Sequence, residues 1–351
     1  MGRDEIVGVM PVLERHQFDI KALERYMAAN IEGFSGKIVV ELFRTGQSNP
    51  TYQITSGSQR YVLRRKPPGD LLPSAHAVDR EYRVITALRD SGVPVPGSYA
   101  LCEDASVIGT AFYIMEHVDG RILWDPWLPE ADQAERPALF TEMNRVIALL
   151  HKVDFEAVGL SDFGRTGNYF ERQISRWTRQ YRASETERID AMEQLIDWLP
   201  DNIPEDDENT IVHGDFRSAN VIFHATEPRI IAVLDWELST IGHPLGDYAY
   251  HCMHRRLPQI VDGMLGLDLD ELNIPSEELY LAGYCRLTGR QTIEDWDFYI
   301  IFNMFRLAAI NQGILARALA GTASSELAME KGARARAIAE SGLRELEQIS
   351  A

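Results

Sequence analysis

Between residues 19 and 30, apolar side chains recur at Ile20, Leu23 and Met27, the spacing of one helical face. Short runs in which apolar and polar positions alternate follow at 37–43, 51–55 and 61–65, separated by polar turns around Gly46 and Gly57. A period of two punctuated by glycine predicts an antiparallel meander. Residues 75–90 return to helical spacing, with Val78, Tyr82, Ile85 and Leu88 as the apolar face. Pro94 and Pro96 then break the chain, and 111–118 predicts another strand. After Asp119-Gly120 the pattern becomes mostly helical, at 136–152, 169–182 and 187–199, and again over the last third. The exception is a compact strand-loop-strand block at 211–236. Strands first and helices second predict an α+β protein. It would have a small antiparallel-sheet N-terminal lobe (1–118), a larger mainly helical C-terminal lobe (119–351) and a hinge near residues 118–121.

Composition narrows the function classes. The 351 residues are 45% apolar, enough for two cores. The formal net charge of −18 repels phosphate backbones and anionic lipid, which argues against nucleic-acid binding and a peripheral membrane role. It would suit a cationic partner but selects no substrate. Cys102, Cys252 and Cys285 are far apart and form no CxxC pair, so neither a disulfide framework nor a structural zinc site is expected. The first residues carry no basic region feeding an apolar stretch, and apolar runs such as 230–234 are too short to span a bilayer. The expectation is a cytoplasmic protein.

The chemistry concentrates in Ile211-Val212-His213-Gly214-Asp215-Phe216-Arg217-Ser218-Ala219-Asn220-Val221. An apolar run enters, a polar loop follows and a second apolar run leaves. Asp215 and Asn220 are five positions apart, and the strand-like run 230–234 then delivers Asp235, Trp236 and Glu237. Two carboxylates and a carboxamide at the ends of short strands suit phosphoryl transfer. One carboxylate orients a hydroxyl and accepts its proton, while the other and the amide oxygen hold magnesium against a triphosphate. A turn could also use Asp and Asn, but it needs neither His-Gly before the Asp nor a second Asp after a buried strand.

This block resembles the kinase catalytic loop H-R-D-x-x-x-x-N, and its H-G-D form resembles that of the aminoglycoside phosphotransferase and choline kinase superfamily. The likeness extends to Gly46-Gln47-Ser48-Asn49-Pro50-Thr51, as in the kinase-like domains fused to acyl-CoA dehydrogenases. It implies a bilobal protein-kinase-like fold and transfer of the γ-phosphate of ATP or GTP, with Mg2+. The acceptor would be a small hydroxylated molecule: an amino sugar, an amino alcohol or a hydroxyacyl compound. Asp215 would be the catalytic base and Asn220 and Asp235 the metal ligands, with His213 bracing the loop and Asp247 supporting it. Gly46 and Ser48 would cover the phosphates. Arg64 would stand where kinases place a lysine, with Lys66, on the same strand face, as a second candidate, and Glu81 would pair with that basic residue. Main-chain groups of Glu116 and Val118 would meet the nucleotide base.

His151 reads as a packed structural histidine. His243, His251 and His254 read as surface histidines of helices rather than a metal site, and Arg172, Arg176 and Arg179 as a solvated helix face rather than an anion pocket. A non-catalytic nucleotide-binding or scaffold protein of the same fold, a pseudokinase, is the competing reading. Its sign would be loss of Asp215, Asn220 or Asp235, and all three are present.

Overall fold

The computed structural model describes residues 8–44, 49–67, 77–322 and 327–350. The chain divides into two compact units: Met1–Asp119 with Ala232–Glu237, and Gly120–Ile231 with Leu238–Ala351. A single cut near residue 118 does not capture the six residues 232–237. They are tied to the first unit by Val233 N–H donating to Pro94 O (2.8 Å) and by the contacts of Asp235 and Glu237 described below.

The first unit holds strands β1 (Val9–Met10), β2 (Val39–Phe43), β3 (Thr51–Ser56), β4 (Gln59–Arg65), β5 (Ser98–Cys102) and β6 (Phe112–Glu116). They form one sheet in the order β1-β2-β3-β4-β6-β5, with antiparallel neighbours. Strict alternation buries Tyr52, Ile54 and Ser56 along β3. The β3–β4 hairpin closes in two residues, where Gly57 takes the positive φ (59°) that such a turn requires. Helix α1 (Ile20–Asn30) starts at Asp19, whose carboxylate caps Ala22 N–H at 3.0 Å, and sends Leu23 and Met27 into the sheet's core. Helix α2 (Val78–Leu88) buries Val78, Val84, Ile85 and Leu88, and also Glu81. Strand β5, just after Pro94 and Pro96, was not expected. The prolines stop the chain before residue 98, and the strand that follows is short and bulged at Ser98–Ala100.

The second unit contains α3 (Arg136–His151), α4 (Tyr169–Ala183), α5 (Asp190–Trp198), β7 (Thr210–Val212), β8 (Val221–Phe223), β9 (Ile230–Val233, whose last two residues cluster with the first unit), β10 (Thr240–Gly242), α6 (Pro244–Cys252), α7 (Glu277–Thr288), α8 (Trp296–Leu319), α9 (Ala328–Ala333) and α10 (Ala335–Ser350). Strand β7 pairs antiparallel with β10, and β8 pairs with β9. Helix α8 packs against α4, α6, α9 and α10. Contrary to the expectation that no segment could span a bilayer, α8 is long and apolar enough by length and composition. However, 72% of that stretch is buried inside the protein, as in a core helix.

Candidate active site

In the first unit, β4 presents Arg64 opposite Thr51 on one side and Tyr113 on the other. Arg64 is buried, and three carboxylates surround it. Nε lies 3.1 Å from Glu81 Oε2, and Nη2 lies 2.6 Å from Asp235 Oδ1 and 3.5 Å from Glu237 Oε2. Burial opposes its charge, yet Asp235 and Glu81 push its pKa well above the usual value. Glu81 is fastened from two further sides: Asn49 Nδ2 donates to Oε1 at 2.9 Å and Tyr113 Oη to Oε2 at 3.1 Å. Burial pushes the Glu81 carboxyl up to about 7 against the opposing pull of Arg64. Lys66 takes another course, with its ammonium 3.7 Å from Asp79 at a half-exposed position. Of the two basic residues, Arg64 therefore meets Glu81 and Asp235. Asp235 itself adopts a left-handed backbone (φ 64°), unusual for a residue with a β-carbon.

The remaining first-unit expectations fare differently. Gly46 and Ser48 lie outside the described residues. The Glu116 N–H donates to Gly97 O at 2.7 Å and its carboxylate accepts from Gly97 N at 2.9 Å, so of its main-chain groups the N–H is engaged within the protein. Val118 follows the end of β6 and is half-buried.

In the second unit, the loop between β7 and β8 is fixed through its main chain. Buried Asp247, on α6, accepts His213 N–H and Gly214 N–H, both at 2.7 Å. Arg306 Nη2, on α8, donates to Gly214 O at 2.7 Å. Gly214 has φ 82°, and a β-carbon there would lie 2.9 Å from Leu238 O, so the position requires glycine. His213 is fully buried and its Nδ1 accepts Asp215 N–H at 3.1 Å, the bracing role expected of it. Asn220 Nδ2 donates both to Asp215 O (2.9 Å) and to Asp215 Oδ2 (2.7 Å), while Arg217 Nε lies 3.4 Å from Oδ1. The loop thus brings Asp215 and Asn220 together.

His151 Nε2 is 3.2 Å from Asp247 Oδ2 and Nδ1 is 2.7 Å from Tyr284 Oη. Since a carboxylate only accepts, Nε2 donates to Asp247. Burial works against the Asp247 charge, but the His151 and His213 contacts win and hold its carboxyl below the usual range.

The three other histidines are not surface residues. His243 is fully buried and caps α6 through Leu245 N–H (3.2 Å); His251 Nε2 meets Tyr280 Oη (2.7 Å); His254 is nine-tenths buried. Burial pushes their pKa values down to about 4, 3 and 4, which leaves neutral imidazoles at pH 7. On α4, Arg176 and Arg179 are exposed and Arg172 donates to Arg165 O at 2.6 Å.

Sequence reasoning gave no role to Asn49, Tyr113, Glu237 or Arg306. Arg306 left a signal, since a single arginine in the apolar run from Ile300 to Ile310 has to find a buried acceptor.

The sequence matches the phosphotransferase enzyme family over residues 39–286. The chain belongs to this family. Among curated relatives, mouse acyl-CoA dehydrogenase family member 10 is 46% identical over 339 residues, covering 95% of this chain and 32% of the mouse protein. Chicken acyl-CoA dehydrogenase family member 11 is 44% identical over 353 residues, covering 98% of this chain and 45% of the chicken protein. This phosphotransferase chain thus spans less than half of the length of these relatives, 32% and 45%.

A crystal structure of a candidate aminoglycoside phosphotransferase from Ralstonia eutropha is similar at 53% identity and a TM-score of 0.86, covering 95% of this chain and 99% of that one. More distant structures share the kinase-like fold. One is the aminoglycoside phosphotransferase APH(4)-Ia, in a ternary complex with AMP-PNP and hygromycin B (17% identity, TM-score 0.62, 92% and 98% covered). Another is a Plasmodium vivax ethanolamine kinase (15%, 0.59, 90% and 85%).

Proposed function

We propose that this phosphotransferase is a small-molecule kinase that moves the γ-phosphate of ATP or GTP onto a hydroxyl, with Asp215 as the base. The observation that carries this reading is the fastening of Asp215. Its backbone amide, carbonyl and carboxylate are all engaged by His213 and Asn220, and the residues before it are anchored on Asp247 and Arg306. A carboxylate held in this way orients an incoming hydroxyl without reorganising. Asp215 accepts the hydroxyl proton as the oxygen bonds to the γ-phosphorus, and the bond to the bridging oxygen breaks to release the nucleoside diphosphate.

The reading assigns magnesium to oxygen donors. In this reading Asp235, whose carboxylate is partly exposed, and Asn220, whose amide nitrogen is committed to Asp215, would each contribute an oxygen ligand of the hard kind that suits this cation. Bound magnesium would neutralise charge on the phosphates. Arg64, held by Glu81, supplies the guanidinium for those phosphates, in place of the usual lysine. The AMP-PNP complex of APH(4)-Ia supports a nucleotide donor.

For the acceptor, hygromycin B and ethanolamine in the named neighbours support an amino sugar or amino alcohol, and the acyl-CoA dehydrogenase relatives support a hydroxyacyl compound. The test is a screen of hydroxylated metabolites with labelled triphosphate and magnesium, run beside Asp235→Ala. Label transfer that Asp235→Ala abolishes is the expected result. Nucleotide binding with no transfer to any acceptor, or an Asp235→Ala variant with unchanged magnesium–nucleotide affinity, would overturn the assignment.

A further inference from the structure

Spacing alone puts Arg172, Arg176 and Arg179 on one solvated face of α4, but their contacts distinguish them. Arg172 is half-buried, its Nη2 held by Arg165 O at 2.6 Å. Arg176, one turn on, is exposed and has its guanidinium 5.3 Å from the centre of the Trp177 ring. The guanidinium of Arg306, from α8, lies 5.7 Å from the centre of the same ring. Arg179 makes no hydrogen bond, ion pair or ring contact among the described residues.

The cluster lacks a counter-ion. Arg306 is buried, with 5% of its surface exposed. It donates to Gly214 O at 2.7 Å and its guanidinium lies 5.0 Å from the Tyr250 ring centre. No carboxylate among the described residues lies within ion-pair distance of Arg306, Arg176 or Arg172. Instead, burial and the Arg306 charge lower the Arg176 pKa, against an opposing pull from Tyr169. The buried phenol of Tyr169, at the start of α4, registers the same excess. Burial pushes its pKa up; Arg306, Arg172 and Arg176 act against burial, and the one carboxylate acting with it is Asp247. Asp247 is already committed to two loop amides and His151. Three guanidinium groups thus stand together inside a chain whose net charge is −18. Like charges held in this way cost stability, which a bound anion offsets.

We propose that Arg172 and Arg176, backed by Arg306, form an oxyanion-binding site on the α4 face of the second unit. Arg176 and Arg172 are open enough to meet a ligand with their own N–H groups, and guanidinium forks match the oxygens of carboxylate and phosphate. Arg306 acts from the interior through its charge, which water screens little there. Through its hydrogen bond to Gly214 O, one residue before Asp215, it also joins the site to the catalytic loop. The site stands on the geometry of the second unit alone and goes beyond the phosphotransferase reading. Two sources can supply the oxyanion: a group borne on an organic ligand, or free inorganic phosphate.

Inorganic phosphate, glycerol 3-phosphate and glycerol are titrated into the full chain at fixed ionic strength, with magnesium and a saturating non-hydrolysable ATP analogue, and binding is read by calorimetry. Both phosphate probes should bind and glycerol should not. Arg176→Gln should weaken both by about 10–100-fold, the range for one charged hydrogen bond lost. Arg176→Lys should keep part of the affinity, and Arg179→Gln should keep all of it. Tighter binding of glycerol 3-phosphate than of inorganic phosphate would identify an organic ligand whose body is also held; equal affinities would identify the free ion. Absence of phosphate binding, or binding that Arg176→Gln leaves intact or weakens no more than Arg179→Gln does, would overturn the proposal. The analogue is also titrated alone. If it does not bind, the kinase assignment falls, while the comparison of Arg176→Gln with Arg179→Gln still decides the oxyanion site.

Discussion

The two polar clusters of this chain are held together by different means. Around Arg64, four charged side chains from β4, α2 and residues 235–237 meet as ion pairs, one cation among three carboxylates. Around Asp215, the fastening acts on the main chain: Asp247 grips two amides, Arg306 a carbonyl, and His213 and Asn220 the amide and carbonyl of Asp215 itself. The first arrangement can be shifted by any change in charge, including pH, a cation or phosphate. The second fixes a shape around the carboxylate to which we assign the proton transfer.

The largest expected effect tests the fixed side. Asp215→Asn keeps the shape and removes the proton acceptor, so single-turnover phosphate transfer should fall by about 10²–10⁴-fold, with magnesium–nucleotide affinity unchanged in calorimetry. Wild-type turnover would remove Asp215 from the chemistry. The charged side should instead respond in stability. Arg64→Leu strands Glu81 in the interior and should cost about 3–5 kcal/mol in urea denaturation; a loss below 1 kcal/mol would mean that the three carboxylates do not depend on this cation.

The pH responses should run in opposite directions. Glu81 titrates near 7 in the folded chain against an ordinary 4.5. It therefore contributes stability that is fully present below pH 4.5 and lost as pH rises through 7. Glu81→Gln should abolish this window, shifting the wild-type–variant difference by about 1–3 kcal/mol between pH 5 and 8. Asp247, depressed below the ordinary carboxylate range, contributes stability present above that range and lost on acidification. Denaturation curves of Glu81→Gln and Asp247→Asn across pH 3–8 that sloped the same way would erase the distinction. The smallest effect belongs to Lys66→Met. Its exposed pair with Asp79 is worth about 0–1 kcal/mol, so phosphate transfer and melting temperature should stay near wild type. A clear drop in phosphate transfer with the melting temperature unchanged would move the phosphate-gripping role to Lys66.

The main elements of the fold, and the Asp215 loop in particular, were readable from sequence because their determinants are local. Alternation along β3 and β4, helical spacing in α1 and α3, and His213-Gly214-Asp215 with Asn220 five positions on all fit within short windows. The other half of each cluster arrives from far away in the chain. Glu81 and Asp247 were found through the family likeness. Glu237 was noted but given no role, and Asn49 and Tyr113 have no pattern of their own that says they face a buried carboxylate. Strand β5 was lost because two prolines masked a short, bulged run, and the buried histidines were misjudged because helical spacing alone does not reveal what packs over a helix.

The attachment of residues 232–237 to the first unit has a consequence for how this chain comes into being. Arg64 and Asp235 are separated by 171 positions. A ribosome finishes the whole sheet of the first unit long before it makes the segment that completes that unit's charge cluster. Until then the nascent chain has Arg64 paired only with Glu81, and the late contact must be won against the entropy of closing a very long loop. The first unit is therefore complete only after residues 120–231 of the second have been made.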